Sequence, residues 1–315
     1  MPIPRQPSPT APALPARRTE PLVELIFERL AADDMPDDTA ELVLAALGGQ
    51  DDLTAALDGG TTSLDLAVPT DEAPTGRIWL SSVTVAGFRG VGPERTLQID
   101  PGPGLTLVVG RNGSGKSSFA EAVELALTGD SARWAERNSV WRTGWRNLHS
   151  PDPCWIVAQL HVDGEAKPVT VTRSWPLGAA LADAEVTVTS AQGRHVDLAE
   201  LGLARPLERY RPFLTAAELS RLTDASQRVL PRGCAPESPF RFVVTDEPVR
   251  SMDSAMVDGL ARVLAALAVR RQVVVFTHDV RLPEAFHRLG RGRVRIVEVT
   301  RAQRSVVTLR PTGNL

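Results

Sequence analysis

Apolar residues in this chain follow two rhythms. Three runs are unbroken or nearly so: Leu105 to Val109, Phe242 to Val244, and Val273 to Phe276. Short and rich in β-branched residues, they predict strands covered on both faces, as in a parallel sheet. Helical spacing appears elsewhere. Phe119, Val123, Ala126 and Leu127 fall at i, i+4, i+7 and i+8 ahead of Gly129, and Val257, Leu260, Leu264 and Leu267 form a second stripe after Asp253. Ile78 to Val85 alternates as a strand, and Arg95 to Ile99 predicts another. Trp155–His161, Val169–Arg173 and Ala184–Thr189, divided by Gly or Pro turns, predict an antiparallel sheet. Arg293–Thr300 and Ser305–Arg310 predict a closing hairpin. The expected class is α/β, with a mixed sheet and an antiparallel side sheet.

The N-terminal quarter differs. Residues 1–19 carry six prolines and few large apolar groups, which predicts a disordered arm and not a secretory signal. Leu22, Leu25, Ile26 and Leu30, then Asp38 to Leu47, then Asp51 to Leu57 predict a small helical module over 20–58. Residues 59–76 predict a linker and 77–315 the main body. Charge sharpens this division. Residues 1–76 hold 4 Lys+Arg against 14 Asp+Glu; taken from totals of 35 and 38, this leaves 31 and 24, a net of +7, for the rest. No run of 18 apolar residues exists, so no membrane-spanning helix is expected. The two cysteines, Cys154 and Cys234, offer no Cys-x-x-Cys pair, and a reduced, cytoplasmic protein is expected.

Candidate chemistry centres on Gly110-Arg111-Asn112-Gly113-Ser114-Gly115-Lys116-Ser117-Ser118, which matches the phosphate-loop pattern G-x-x-x-x-G-K-[ST] at every fixed position. A strand precedes it and a helix follows. That geometry turns a row of backbone N–H groups, and the positive end of a helix, onto a phosphate chain. Lys116 is expected to reach the outer phosphates and the Ser117 hydroxyl to ligate Mg²⁺. Lys116 and Lys167 are the only lysines, so arginine has taken nearly every other basic position while the one needing a compact ammonium is lysine.

The strand ending in Phe88-Arg89, the turn and strand after it, and the G-x-N-G-S-G-K-S-S loop together resemble the start of the SMC-like ATPases. That group includes RecF, RecN and SbcC-type repair proteins, built on the ABC-ATPase head fold. The resemblance covers about residues 78–310. It implies that Arg89 touches a bound nucleotide and that the ligands are ATP and Mg²⁺. Thr245-Asp246-Glu247 closes an apolar strand as a Walker B pattern does. Asp246 would hold the magnesium shell, and Glu247 would orient and deprotonate the attacking water. Asp253 lies at D-loop spacing, and His278 resembles the switch histidine that hydrogen-bonds the γ-phosphate. Lys116, Glu247 and His278 are thus the expected catalytic set, and Arg89, Gly110 and Asn112 to Ser118 the expected nucleotide-binding set.

Two departures stand out. Leu207 to Leu222 occupies the Q-loop position, yet no glutamine lies near Thr215–Ala217. Thr223 to Phe240 stands where a long coiled coil and an L-S-G-G-Q-type signature are expected, and contains neither. The resemblance implies DNA repair or DNA-directed defence, with a nuclease or a full-length homologue as partner; without a signature, a monomer with weak turnover is expected. Ser131 to His149 interleaves Arg133, Arg137, Arg142 and Arg146 with Trp134, Trp141 and Trp145. This is either a grip on DNA phosphates and bases or a loop pinned to the sheet by its tryptophans.

Overall fold

A computed structural model describes residues 54, 76–131, 134, 143–223, 231–250, 252–290 and 294–314. The expected arm, helical module and most of the linker lie outside these residues. So do Arg133, Arg137, Trp141 and Arg142.

Two six-stranded sheets organise the described residues. The first is wholly antiparallel. It contains β1 (Ile78–Ala86), β2 (Arg95–Gln98), β4 (Cys154–Val162), β5 (Val169–Trp175), β6 (Glu185–Thr189) and β7 (His195–Val196), in the order β2-β1-β4-β5-β6-β7. The second is mixed. It contains β3 (Gly104–Val109), β8 (Phe213–Leu214), β9 (Phe242–Asp246), β10 (Gln272–Thr277), β11 (Val294–Arg301) and β12 (Val307–Asn314), in the order β12-β11-β3-β10-β9-β8. Only the β11–β12 pair is antiparallel there. The closing hairpin is therefore present, and its first strand also joins β3 in parallel, a long-range pairing that local periodicity does not carry.

Helix α1 (Lys116–Thr128) packs on both sheets, in contact with β1, β4 and β5 of the antiparallel sheet and with β9 and β10 of the mixed one. It is buried nearly all round, not along one face as its spacing predicted. Helices α2 (Ala204–Tyr210), α3 (Ala216–Thr223), α4 (Ser254–Ala268) and α5 (Arg281–Leu289) complete the described set. Leu219, Leu260, Leu264, Leu282 and Phe286, from the last three, form the core on the far face of the mixed sheet.

Period-two geometry divides the unbroken apolar runs between these two cores. In β10, Val274 and Phe276 join the core shared with α1, while Val273 and Val275 face the core of α3 to α5. β9 divides likewise, Phe242 and Val244 against Val243. In β1 the buried parity changes from Ile78 and Leu80 to Val83 and Val85, and a bulge between Leu80 and Ser82 absorbs the extra residue. Gln272 ties the sheets together: its side chain accepts from Leu80 N at 2.9 Å and donates to Leu80 O at 2.7 Å and Asp100 O at 2.8 Å.

Among the described residues the longest helix is α4 at 15 residues. A short turn at Arg232–Cys234 leads directly towards β9. Arg271, just before β10, is only 5% exposed. It donates to Phe240 O at 2.7 Å, Cys234 O at 3.0 Å, Ala235 O at 2.5 Å and Gly233 O at 3.4 Å.

Candidate functional site

The loop from β3 to α1 is shaped by its glycines. Gly113 (φ 78°) and Gly115 (φ 99°) take left-handed backbone that a side chain would strain. Gly110 is needed for space, since a Cβ there would lie 2.2 Å from Val299 O on the neighbouring strand. Gly115 caps α1 with no side-chain bond, and the first turn holds no acidic residue. The positive end of the helix at Lys116–Ser118 is thus not capped by a side chain of its own first turn.

Over this loop lies a cleft of about 370 Å³. Arg89, Asn112 to Ser118 and Glu247 all line it, so residues expected from distant parts of the chain meet there. Gly110, Asp246 and His278 do not line it. Gly110 and His278 border a second hollow beside Asp279 and Val280. Asp246 ends β9 with both carboxylate oxygens buried.

Glu247 joins the two sides. It is a non-glycine residue at φ 51°, a conformation few side chains adopt, held by its N–H donating to Phe276 O at 2.8 Å. Its Oε1 lies 3.9 Å from Lys116 Nζ. Its Oε2 lies 2.6 Å from His278 Nδ1 and accepts from His278 N at 3.3 Å. Lys116 Nζ donates to Gly110 O at 2.7 Å and Arg111 O at 3.0 Å. Burial pushes its pKa below the ordinary lysine value, and the Glu247 charge opposes that shift.

Arg89 is also left-handed, at φ 51°. Its guanidinium donates to Glu121 at 3.0 Å and lies 4.8 Å over the Trp134 ring. Asn147 fixes this turn, donating to Arg89 O at 2.7 Å while its Oδ1 accepts from His149 N and Ser150 N, each at 2.9 Å. Glu121 and Asn147 were not expected. Glu121 left a signal: it and Glu124 are carboxylates within an otherwise apolar helix, and buried carboxylates require partners. Arg89 serves the first and Arg211, at 2.5 Å, the second.

Of the arginine–tryptophan stretch, Trp134 and Trp145 are buried, at 1% and 4% exposure. Both pack near Phe88, with ring centroids 6.3 and 6.5 Å away. Arg146 stacks on Trp145 and donates to Pro151 O at 3.0 Å and to Pro176 O. The described part of the stretch is thus pinned to the sheet.

The Ser117 hydroxyl lines the cleft and has no hydrogen bond among the described residues, and Ser114 Oγ is buried without a partner. A hydroxyl and a carboxylate are both hard-oxygen donors of the kind Mg²⁺ takes, so the chemistry of Ser117 and Asp246 fits the ion.

Comparison with known proteins agrees with this geometry. A family described as "AAA domain" matches residues 82–167. The chromosome partition protein Smc of Desulfitobacterium hafniense (strain Y51) is 40% identical over 62 residues, 20% of this chain and 5% of that protein. The DNA replication and repair protein RecF of Thioalkalivibrio sulfidiphilus (strain HL-EbGR7) is 32% identical over 127 residues, 39% of this chain and 31% of that protein. The chain thus spans under a third of the length of these two relatives. In fold it is similar to the Smc head domain of Pyrococcus furiosus, solved with an extended coiled coil and bound to the C-terminal domain of ScpA. There the TM-score is 0.52 at 11% identity, over 75% of this chain and 96% of that one. Residues 82–167 therefore match the AAA-domain family, short stretches of the chain are similar to Smc and RecF proteins, and the fold is similar to that of an Smc head domain.

Proposed function

We propose that this head binds Mg-ATP in the cleft over Gly110–Ser118 and carries the cis half of a γ-phosphate hydrolysis site. The observation that carries the reading is Glu247, held in left-handed backbone between Lys116 and His278. A carboxylate placed there accepts the proton of a water attacking the γ-phosphorus. As the water oxygen bonds to phosphorus, the bond to the bridging oxygen breaks and ADP leaves. The His278 contact orients Glu247, and Lys116 with the first-turn N–H groups of α1 meets charge on the phosphate oxygens. Ser117 and Asp246 would hold Mg²⁺, which neutralises charge on the outer phosphates when bound.

A second reading is favoured by a feature of the chain. Its only Ser-Gly dipeptide is Ser114-Gly115, inside the phosphate loop, so it has no signature loop to lend to a second head. We infer a nucleotide-binding module with turnover near background and no ATP-driven dimer. The setting we propose is DNA repair or DNA-directed defence, supported by the RecF relative's name and by the +7 charge of residues 77–315.

Calorimetric titration with ATP tests the site. Lys116→Ala should lower affinity roughly a hundredfold, by loss of charge-assisted contacts, without loss of fold; unchanged affinity would refute the assignment. Gel filtration of Glu247→Gln with ATP separates the two readings. A monomer with background hydrolysis in the parent supports the module, whereas a stable dimer, or brisk turnover abolished by the substitution, supports the full ATPase.

A further inference from the structure

The phosphate loop and the hydrolytic side chains come from β3 and from β9 and β10 on one side of it. On the other side of β3 lies β11, and it too reaches the cleft. Arg301, its last residue, and Ser305, in the turn that follows, both line the cavity. That turn is strained: Arg304 and Ser305 are consecutive non-glycine residues at φ 54° and 58°. It is also tightly held. Gly92 N donates to Ser305 O at 3.0 Å, and Arg95 Nε donates to Val307 O at 2.6 Å.

Three glycines make room for this hairpin. A Cβ on Gly92 would lie 3.2 Å from Arg304 O, and one on Gly115 would lie 3.2 Å from Val307 Cγ2. One on Gly90 would lie 3.3 Å from Arg301 Nη1 and 3.2 Å from Ser118 Oγ. The hairpin thus closes over the start of α1 and sets a guanidinium beside Gly90, whose N–H donates to Ser118 Oγ at 3.0 Å.

The other cations facing the cleft are engaged. Arg89 is paired with Glu121, Arg146 is spent on backbone carbonyls, and Lys116 donates to its own loop. The Arg301 side chain is exposed and makes no hydrogen bond or ion pair among the described residues. A fixed strand end presenting an unengaged guanidinium to a phosphate site is suited to bidentate recognition of a phosphate.

We propose that Arg301 clamps the α-phosphate of the bound nucleotide, from the β11 side of the loop. The inference rests on the ATP-binding reading above. Lys116, Glu247 and His278 mark the γ-phosphate end on the β10 and β9 side, so a guanidinium beside Gly90 meets the opposite end of the phosphate chain. ATP and ADP share that end. Arg301 therefore holds both alike, while discrimination between them belongs to Lys116.

The test is calorimetric titration of the full chain, in Mg²⁺, with ATP and with ADP. Arg301→Ala should weaken both nucleotides by the same factor, about tenfold, at an unchanged melting temperature. Arg301→Lys should recover part of the loss and Arg301→Glu should exceed it. Affinity for both nucleotides unchanged in Arg301→Ala, with Lys116→Ala still impaired, would overturn the clamp and leave the ATP site standing. A loss confined to ATP would place Arg301 at the γ-end and overturn it too. A parent chain that binds neither nucleotide would remove the ATP reading, and the clamp with it.

Discussion

Two glycine-bearing loops adjoin strands of the mixed sheet, one leading from β3 into α1 and one leading into β9, and they treat their polar groups differently. The loop before α1 has Gly110 O and Arg111 O filled by Lys116 but leaves Ser114 Oγ without a partner, its N-cap without a side-chain bond, and open space where a Cβ on Gly113 would lie. The connection before β9 is closed. Four of its carbonyls converge on Arg271, and a Cβ on Gly233 would strike Arg211 O at 2.6 Å. A loop with an unpartnered hydroxyl and free space beside a cleft has room for a ligand. A loop whose acceptors are filled from within, as at Gly233–Phe240, needs none.

The sharpest way to break this comparison is Arg271→Met. Removing the guanidinium strands buried carbonyls, so stability should fall by about 3–5 kcal/mol, read as a lower urea midpoint at constant m-value. A loss under about 1 kcal/mol would mean that water satisfies those carbonyls and that the connection is no more closed than the phosphate loop.

Next come the glycines of the open loop. Gly110→Ala forces a Cβ against a backbone oxygen and should cost about 3 kcal/mol, while Gly113→Ala has space and should cost only the left-handed strain of about 1–2 kcal/mol. Thermal unfolding ranks the two. Equal costs would show that the crowding at Val299 relaxes.

The smallest effect is electrostatic. The hydrogen bond from Arg281 holds the Asp279 carboxyl below its ordinary value of 3.8. A depressed carboxyl pKa stabilises the fold above 3.8, and that contribution disappears as pH falls through the folded value. Asp279→Asn should therefore lower stability at pH 6 by up to about 1 kcal/mol, reduced by solvent screening. The difference from the parent should shrink below pH 3.8; a difference unchanged at pH 2.5 would rule out the charge as its source.

Much of the fold was legible in local pattern. The unbroken runs became β3, β9 and β10, and the antiparallel side sheet and the closing hairpin are present. Asp253 caps α4 as read, its side chain accepting from Met256 N at 2.8 Å. Less legible were the two-residue strands β7 and β8, too short to show a period. The all-round burial of α1 depends on sheets contributed from far along the chain.

The candidate site divides in the same way. By itself the sequence determined the phosphate loop, because the glycines, the lysine and the serine there act through backbone geometry that adjacent residues dictate. It also placed Asp246, Glu247 and His278 at strand ends, because an apolar run that stops at polar residues marks where a buried strand emerges. Tertiary structure alone decided which of them meet. The left-handed turn at Glu247, the pairing of Arg89 with Glu121, the closure of the short connection by Arg271, and the arrival of Arg301 beside Gly90 all join residues far apart in the chain. Partners of that kind are selected by sheet order and packing, and no local spacing records them.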